Sequence, residues 1–198
     1  MNKRLPVIEL RDLVRTALVC LSVFSMSEGV AGETAKTVTK RYSVGGAGQI
    51  QLSLRADWQE NGKPTKNPNF PMVIQLASGN RNDFAISIHP STPEKNSADS
   101  GDLKSAVERL AKPYAKGSGE NKIELQRFKG AESEGYFFSI TDNTYNAGRP
   151  GDFKYLARGL AKVGGLFVSF SVLSNDPVRK TAEEACVEML RQATHIKP

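Results

Sequence analysis

The chain is poor in the residues from which catalytic and metal centres are most often built. Its 198 residues include two cysteines, two histidines and one tryptophan. His89 and His195 stand far apart, and no HxH, HxxxH or CxxC spacing occurs, so the clustered ligands of a zinc or transition-metal site are missing. No G-x-S-x-G turn presents a serine nucleophile. Gly117-Ser118-Gly119 reads as a connector between a helix and a strand, and Glu132 and Glu134 flank a turn instead of facing one another across a cleft. Gly45-Gly46-Ala47-Gly48 lacks the third glycine of a dinucleotide fingerprint and leads into a strand, so it reads as a turn. These absences leave no catalytic residue, no metal ligand and no cofactor site to assign, and the chain is expected not to be an enzyme.

Long apolar runs are also lacking. The longest, Ala17–Met26, has about ten residues, half of what a membrane span needs. It follows Lys3, Arg4, Arg11 and Arg15 and precedes the small residues of Ser-Glu-Gly-Val-Ala-Gly, the three parts of a secretory signal. Residues 1–32 are therefore expected to be a signal peptide, residues 33–40 a flexible lead-in, and residues 41–198 one domain with no transmembrane segment, periplasmic or secreted. Cys20 lies in the apolar run, but Leu18-Val19 before it are not the small residues a lipidation site requires. Only Cys186 then remains, which excludes an intramolecular disulfide and leaves stability to core packing. The formal net charge of +6 is spread along the chain without a basic cluster or stripe, so a nucleic-acid partner is not expected.

What is present is patterning. Gln49–Leu54, Met72–Ser78, Phe84–His89, Ile123–Phe128, Tyr136–Thr141, Phe153–Val163 and Leu166–Leu173 have strand character, the last two closed into a hairpin at Gly164-Gly165. Trp58 is expected to plug the core at a strand end, and Gln59–Pro71, rich in Pro, Asn and Gly, reads as a long loop. Leu103, Ala106, Val107, Leu110 and Tyr114 fall at helical spacing over Asp102–Lys116, with Asp102 as N-cap. A second helix is expected from Asp176-Pro177 to near His195, with Ala182, Cys186, Met189, Leu190 and Ala193 on its apolar face. Three strands, a helix, four strands and a helix predict an α+β domain: a mostly antiparallel sheet of about six to seven strands with two amphipathic helices packed on it.

A strand leading into Asp57-Trp58, an early hairpin, a mid-chain helix, a four-strand return and the closing stretch GLAKVGGLFVSFSVLSND (Gly159–Asp176) before the last helix resemble the PsbP/DcrB-like superfamily across residues 41–196. That resemblance implies an accessory or binding protein, exported members included, and carries over no binding residue.

One loop stands out as a candidate site. Asp142–Asp152 (DNTYNAGRPGD) is longer than a hairpin needs and carries Tyr145 and Arg149, residue types that anchor protein contacts. The leading expectation is an exported binding or accessory protein that contacts another exported or envelope protein through Tyr145 and Arg149, as an assembly factor or immunity-type protein. The alternative is a periplasmic carrier of a small molecule or lipid in a helix–sheet cleft. Small residues at −3 and −1 place cleavage after Ala31 or Gly32, so intact-mass analysis of exported protein is expected to find a start at Gly32 or Glu33. A diacylglyceryl group on Cys20, or an uncleaved chain, contradicts this.

Overall fold

The computed structural model describes residues 36–66, 72–79, 83–92, 102–120, 122–147, 149 and 151–198. The expected signal peptide of residues 1–32 lies outside the described residues.

The sheet is built from two meanders. Gln59–Pro64 (β3), Met72–Ala77 (β4) and Phe84–Ser91 (β5) form the first. Gln126–Lys129 (β6), Ser133–Thr141 (β7), Tyr155–Val163 (β8) and Leu166–Ser174 (β9) form the second. Pairing of β5 with β9 joins them into an antiparallel sheet of order β3-β4-β5-β9-β8-β7-β6. A second sheet places Gln49–Arg55 (β2) between Thr37–Ser43 (β1) and Thr194–Ile196 (β10).

Side-chain alternation decides which face of the large sheet is covered. Ile86 and Ile88 of β5 and Val168, Phe170 and Val172 of β9 point to one face, beside Ile74, Leu76, Ala161 and Val163. The helix Arg179–Arg191 (α2) lays Ala182, Cys186, Met189 and Leu190 into the same core, and β2 adds Ile50, Leu52 and Leu54. On the other face the helix Leu103–Ala111 (α1) buries Phe138, Ile140 and Leu156 with Val107 and Ala111, and Tyr136, Leu160 and Leu173 pack half-buried around them. Asp102 caps α1 as expected, its carboxylate accepting from the Lys104 N–H at 3.0 Å. The helix stops early, in a 3-10 turn over Lys112–Tyr114, because Pro113 has no N–H to continue it.

Two glycines shape the covered face. A Cβ on Gly135 would lie 2.5 Å from the Phe128 ring, and one on Gly159 would lie 2.6 Å from Phe137 Cβ and 2.7 Å from the Phe170 ring. The bare backbone lets Phe128, Phe137 and Phe170 pack as a trio with centroids 6.1 to 6.4 Å apart.

The α+β class and the antiparallel sheet under two helices are as expected; the differences lie at the margins. Residues 37–40, expected as lead-in, form the first half of β1, held by the ladder to β2 although their side chains are exposed. Gln59–Pro64, expected as loop, is the edge strand β3. Residues 123–125 do not pair; Ile123 and Leu125 pack beside the α1 cluster, and β6 begins at Gln126. The closing helix begins at Arg179, because the Asp176 carboxylate turns to Lys154 and Tyr155 instead of capping. It ends at Arg191, and His195 belongs to β10. Trp58 packs on the core edge-on to Phe84, with centroids 5.3 Å apart.

Cys186 is completely buried, and burial, helped by the nearby Glu183 charge, pushes its thiol well above the ordinary range. Thiol reagents are expected to leave the native protein unmodified and to label one cysteine per mature chain in denaturant. Rapid native labelling would contradict the burial.

Candidate protein-binding surface

The described residues of the connection from β7 to β8 (142–147, 149 and 151–154) include several tight turns. The Asp142 carboxylate accepts from the Thr144 N–H and hydroxyl, both at 2.7 Å, an Asx turn that sets the loop's direction. The Tyr145 N–H then donates to the Asp142 carbonyl, Arg149 N–H to Asn146, and Asp152 N–H to Arg149. Gly151 follows at φ 82°, where a side chain would be strained.

Both ends of the loop are tied down. At its start the Glu120 carboxylate accepts from the Thr141 N–H at 2.8 Å and the Thr141 hydroxyl at 2.8 Å. The Gly117–Gly119 connector is pinned here as well, through the Gly119 N–H on the Thr141 carbonyl and the Ser118–Asp142 bridge. At its end Asn175 spans the gap, accepting from the Lys154 N–H at 2.8 Å and donating to the Asp152 carbonyl at 3.3 Å.

Tyr145 and Arg149 therefore sit on a braced loop. Tyr145 is half-buried; Arg149 is exposed and reaches Asp152 at 3.9 Å, a surface ion pair of little energetic weight. At the end of the same connection, where β8 starts, lies a cluster that the sequence did not announce. The Arg179 guanidinium stacks 4.2 Å from the centroid of the Tyr155 ring, and Lys154 Nζ stands 5.1 Å from the same centroid. Asp176 accepts from Lys154 Nζ at 2.8 Å and from the Tyr155 hydroxyl at 3.1 Å. Those hydrogen bonds, from Lys154 first, hold the Asp176 carboxyl below its usual range, while Asp176 raises Lys154. The signal that could have found the cluster is the hairpin itself: β8 and β9 pair Tyr155 with Ser174, which brings residues 176–179 back over the start of β8.

Chemistry of other kinds is weakly provided for. Among the described residues no three His, Cys, Asp or Glu side chains gather into a metal-binding group, and no helix is long and apolar enough to cross a membrane. Two grooves flank the helices: one of about 540 Å³ between α1 and residues 122–125, and one of about 480 Å³ between α2 and β6. Both are open to solvent with charged rims.

No protein-family model and no curated protein matches the chain. Among solved structures it is similar to the solution structure of cyanobacterial PsbP (CyanoP) from Synechocystis sp. PCC 6803, with a TM-score of 0.53 and 13% identity, over 85% of this chain and 98% of that one. The fold is PsbP-like. At that identity the likeness carries the architecture alone.

His89, which the sequence left without a site, lies on the partly covered face of β5, opposite Ser169. Burial, and then the nearby Arg158 charge, lower its pKa below the ordinary histidine value. The unfolded chain then takes up a proton before the folded one does. This contribution to stability is complete above the ordinary imidazole range and shrinks as pH falls through it. Urea unfolding between about pH 7.5 and 5.5 is expected to show a larger fall in midpoint for the wild type than for His89→Gln. Equal falls would mean that His89 does not carry the effect.

Proposed function

We propose that the protein is an exported, non-enzymatic accessory protein that acts by holding another exported or envelope protein. The observation that carries this reading is the loop between β7 and β8: a segment anchored at both ends that carries Tyr145 and Arg149. Contact energy concentrates on tyrosine and arginine because each buries a large surface or several donors through one side chain. A loop pinned at both ends loses less entropy on binding than a free one. The PsbP-like fold supports an accessory role, and the apolar start of the chain supports export. The open, charged-rimmed grooves favour a protein partner over an enclosed small-molecule or lipid cargo.

Replacing both Tyr145 and Arg149 by Ala is expected to separate binding from folding. Truncating an anchor costs about 2 kcal/mol or more, roughly thirtyfold in affinity. Stability should change by about 0.5 kcal/mol or less for such a surface site. Thermal melting of the double variant should match the wild type, while a partner retained by the wild type from an envelope extract is lost. A much lower melting temperature would make the two residues structural, and full retention of the partner would move the contact elsewhere.

A further inference from the structure

The groove between β6 and α2 lies apart from the loop and has a different character. Its floor is Phe137 and Val187, both buried, and its rim includes Gln126 and Arg127 on one side and Lys180, Glu184 and Arg191 on the other. β6 is the terminal strand of the large sheet and pairs with β7 alone.

The Gly130 N–H donates to the Ser133 carbonyl at 2.8 Å, so Gly130 and Ser133 form a hydrogen-bonded pair. In an antiparallel ladder such pairs alternate with non-bonded ones. With Lys129 opposite Glu134, Phe128 opposite Gly135 and Arg127 opposite Tyr136, it is Phe128 that bonds to β7. The N–H and C=O groups of Arg127 and Lys129 point away from the sheet, a template for one more strand. The other edge, β3, ends on Lys63-Pro64, which opposes strand addition.

The side chains fix the chemistry of the added strand. Gln126 and Phe128 face α2, and Arg127 and Lys129 face the opposite side. The acids on the α2 flank are already engaged within the chain: Glu183 by Ser139 at 2.7 Å, Glu184 by Lys180 at 3.7 Å, and Glu188 by Arg191 at 3.2 Å. Of the two bases on β6, Arg127 reaches Glu134 at 3.5 Å, and Lys129 has no carboxylate partner among the described residues. On the face that Arg127 and Lys129 share, Glu134 is the one acid across the ladder from two bases, so the charge there is positive; the α2 flank, with Lys180 and Arg191 against Glu183, Glu184 and Glu188, carries no such excess. Lys180 to Arg191 spans about 16 Å at 1.5 Å per helical residue, the length of about five residues of strand. The walls are already fixed: the Ser133 hydroxyl donates to the Arg191 carbonyl at 3.1 Å, and Gly130 leaves no room for a Cβ against that carbonyl.

The geometry points to β6 as a docking edge for an extended segment of a partner protein that alternates acidic and apolar residues. The segment adds as an eighth strand, setting its apolar side chains on the α2 side of β6, next to Gln126 and Phe128 and toward Val187, and its carboxylates beside Arg127 and Lys129. This surface does not depend on the 142–154 loop.

The test is fluorescence anisotropy on the full mature chain with a labelled peptide Glu-Val-Glu-Leu-Glu-Val, against the block-ordered peptide Glu-Glu-Glu-Val-Val-Leu. The alternating peptide is expected to bind at least about tenfold more tightly and to slow amide exchange at Arg127 and Lys129. Lys129→Pro removes an N–H that points outward and spares the β7 ladder, so it should abolish binding. Lys129→Glu should weaken binding about tenfold, with unchanged melting. The Tyr145→Ala, Arg149→Ala double variant should bind this peptide normally, so failure at one surface is read separately from failure at the other. Equal binding of the two peptides, unchanged exchange at Arg127 and Lys129, or protection of those amides by dimerisation without peptide would overturn the proposal.

Discussion

Aromatic rings resting on bare backbone hold the wide end of the sheet together. Phe128 comes from β6, Phe137 and Gly135 from β7, Gly159 from β8 and Phe170 from β9, so four strands meet in one contact. Each ring pair adds about 0.5 to 1.5 kcal/mol beyond its buried area. A methyl group at either glycine would meet a ring or main-chain atom well inside contact distance, and the rings would have to lift. β6 has most to lose, because Phe128 is the one residue it buries. The seat of α2 and the floor of the groove beside it follow from the same arrangement.

The small sheet is fastened to the large one by a histidine. His195 Nδ1 accepts from the Gly165 N–H at 3.1 Å, and its Nε2 meets the Ala47 carbonyl at 2.7 Å, where it donates as the Nε2–H tautomer. One ring thus ties the β8–β9 turn to the turn before β2. Gly164 takes part for a steric reason: at φ 55° a Cβ there would come within 2.7 Å of His195. The opposite end of the sheet is held by Asn175 and Glu120, so the 142–154 loop is presented from a stiff base.

Much of this was legible where one face of an element is buried and the other is not. Leu166, Val168, Phe170 and Val172 announced β9 by alternation, and Asp102 announced the start of α1. The strands that escaped notice form through ladders instead of side chains. β1 buries only Tyr42, and β3, with Asn61-Gly62 and Pro64, has the composition of a turn. Tyr145 and Arg149 could be singled out as candidates because loop length and residue type are local properties. Arg179 could not, because its stack on Tyr155 exists only once the β8–β9 hairpin has folded back. The exposed, charged Gln126-Arg127-Phe128-Lys129 does carry the mark of an edge strand, in the bases that flank its one apolar residue.

The joining of two meanders by β5 and β9 has a consequence for the order of assembly. Each meander closes over short sequence distances, whereas Ile86 meets Val172 across about half of the domain's length. Loop-closure entropy favours the local hairpins first and leaves the central seam for last. Without that seam β5 and β9 would each be a raw edge, so the large sheet owes its unity to one long-range pairing.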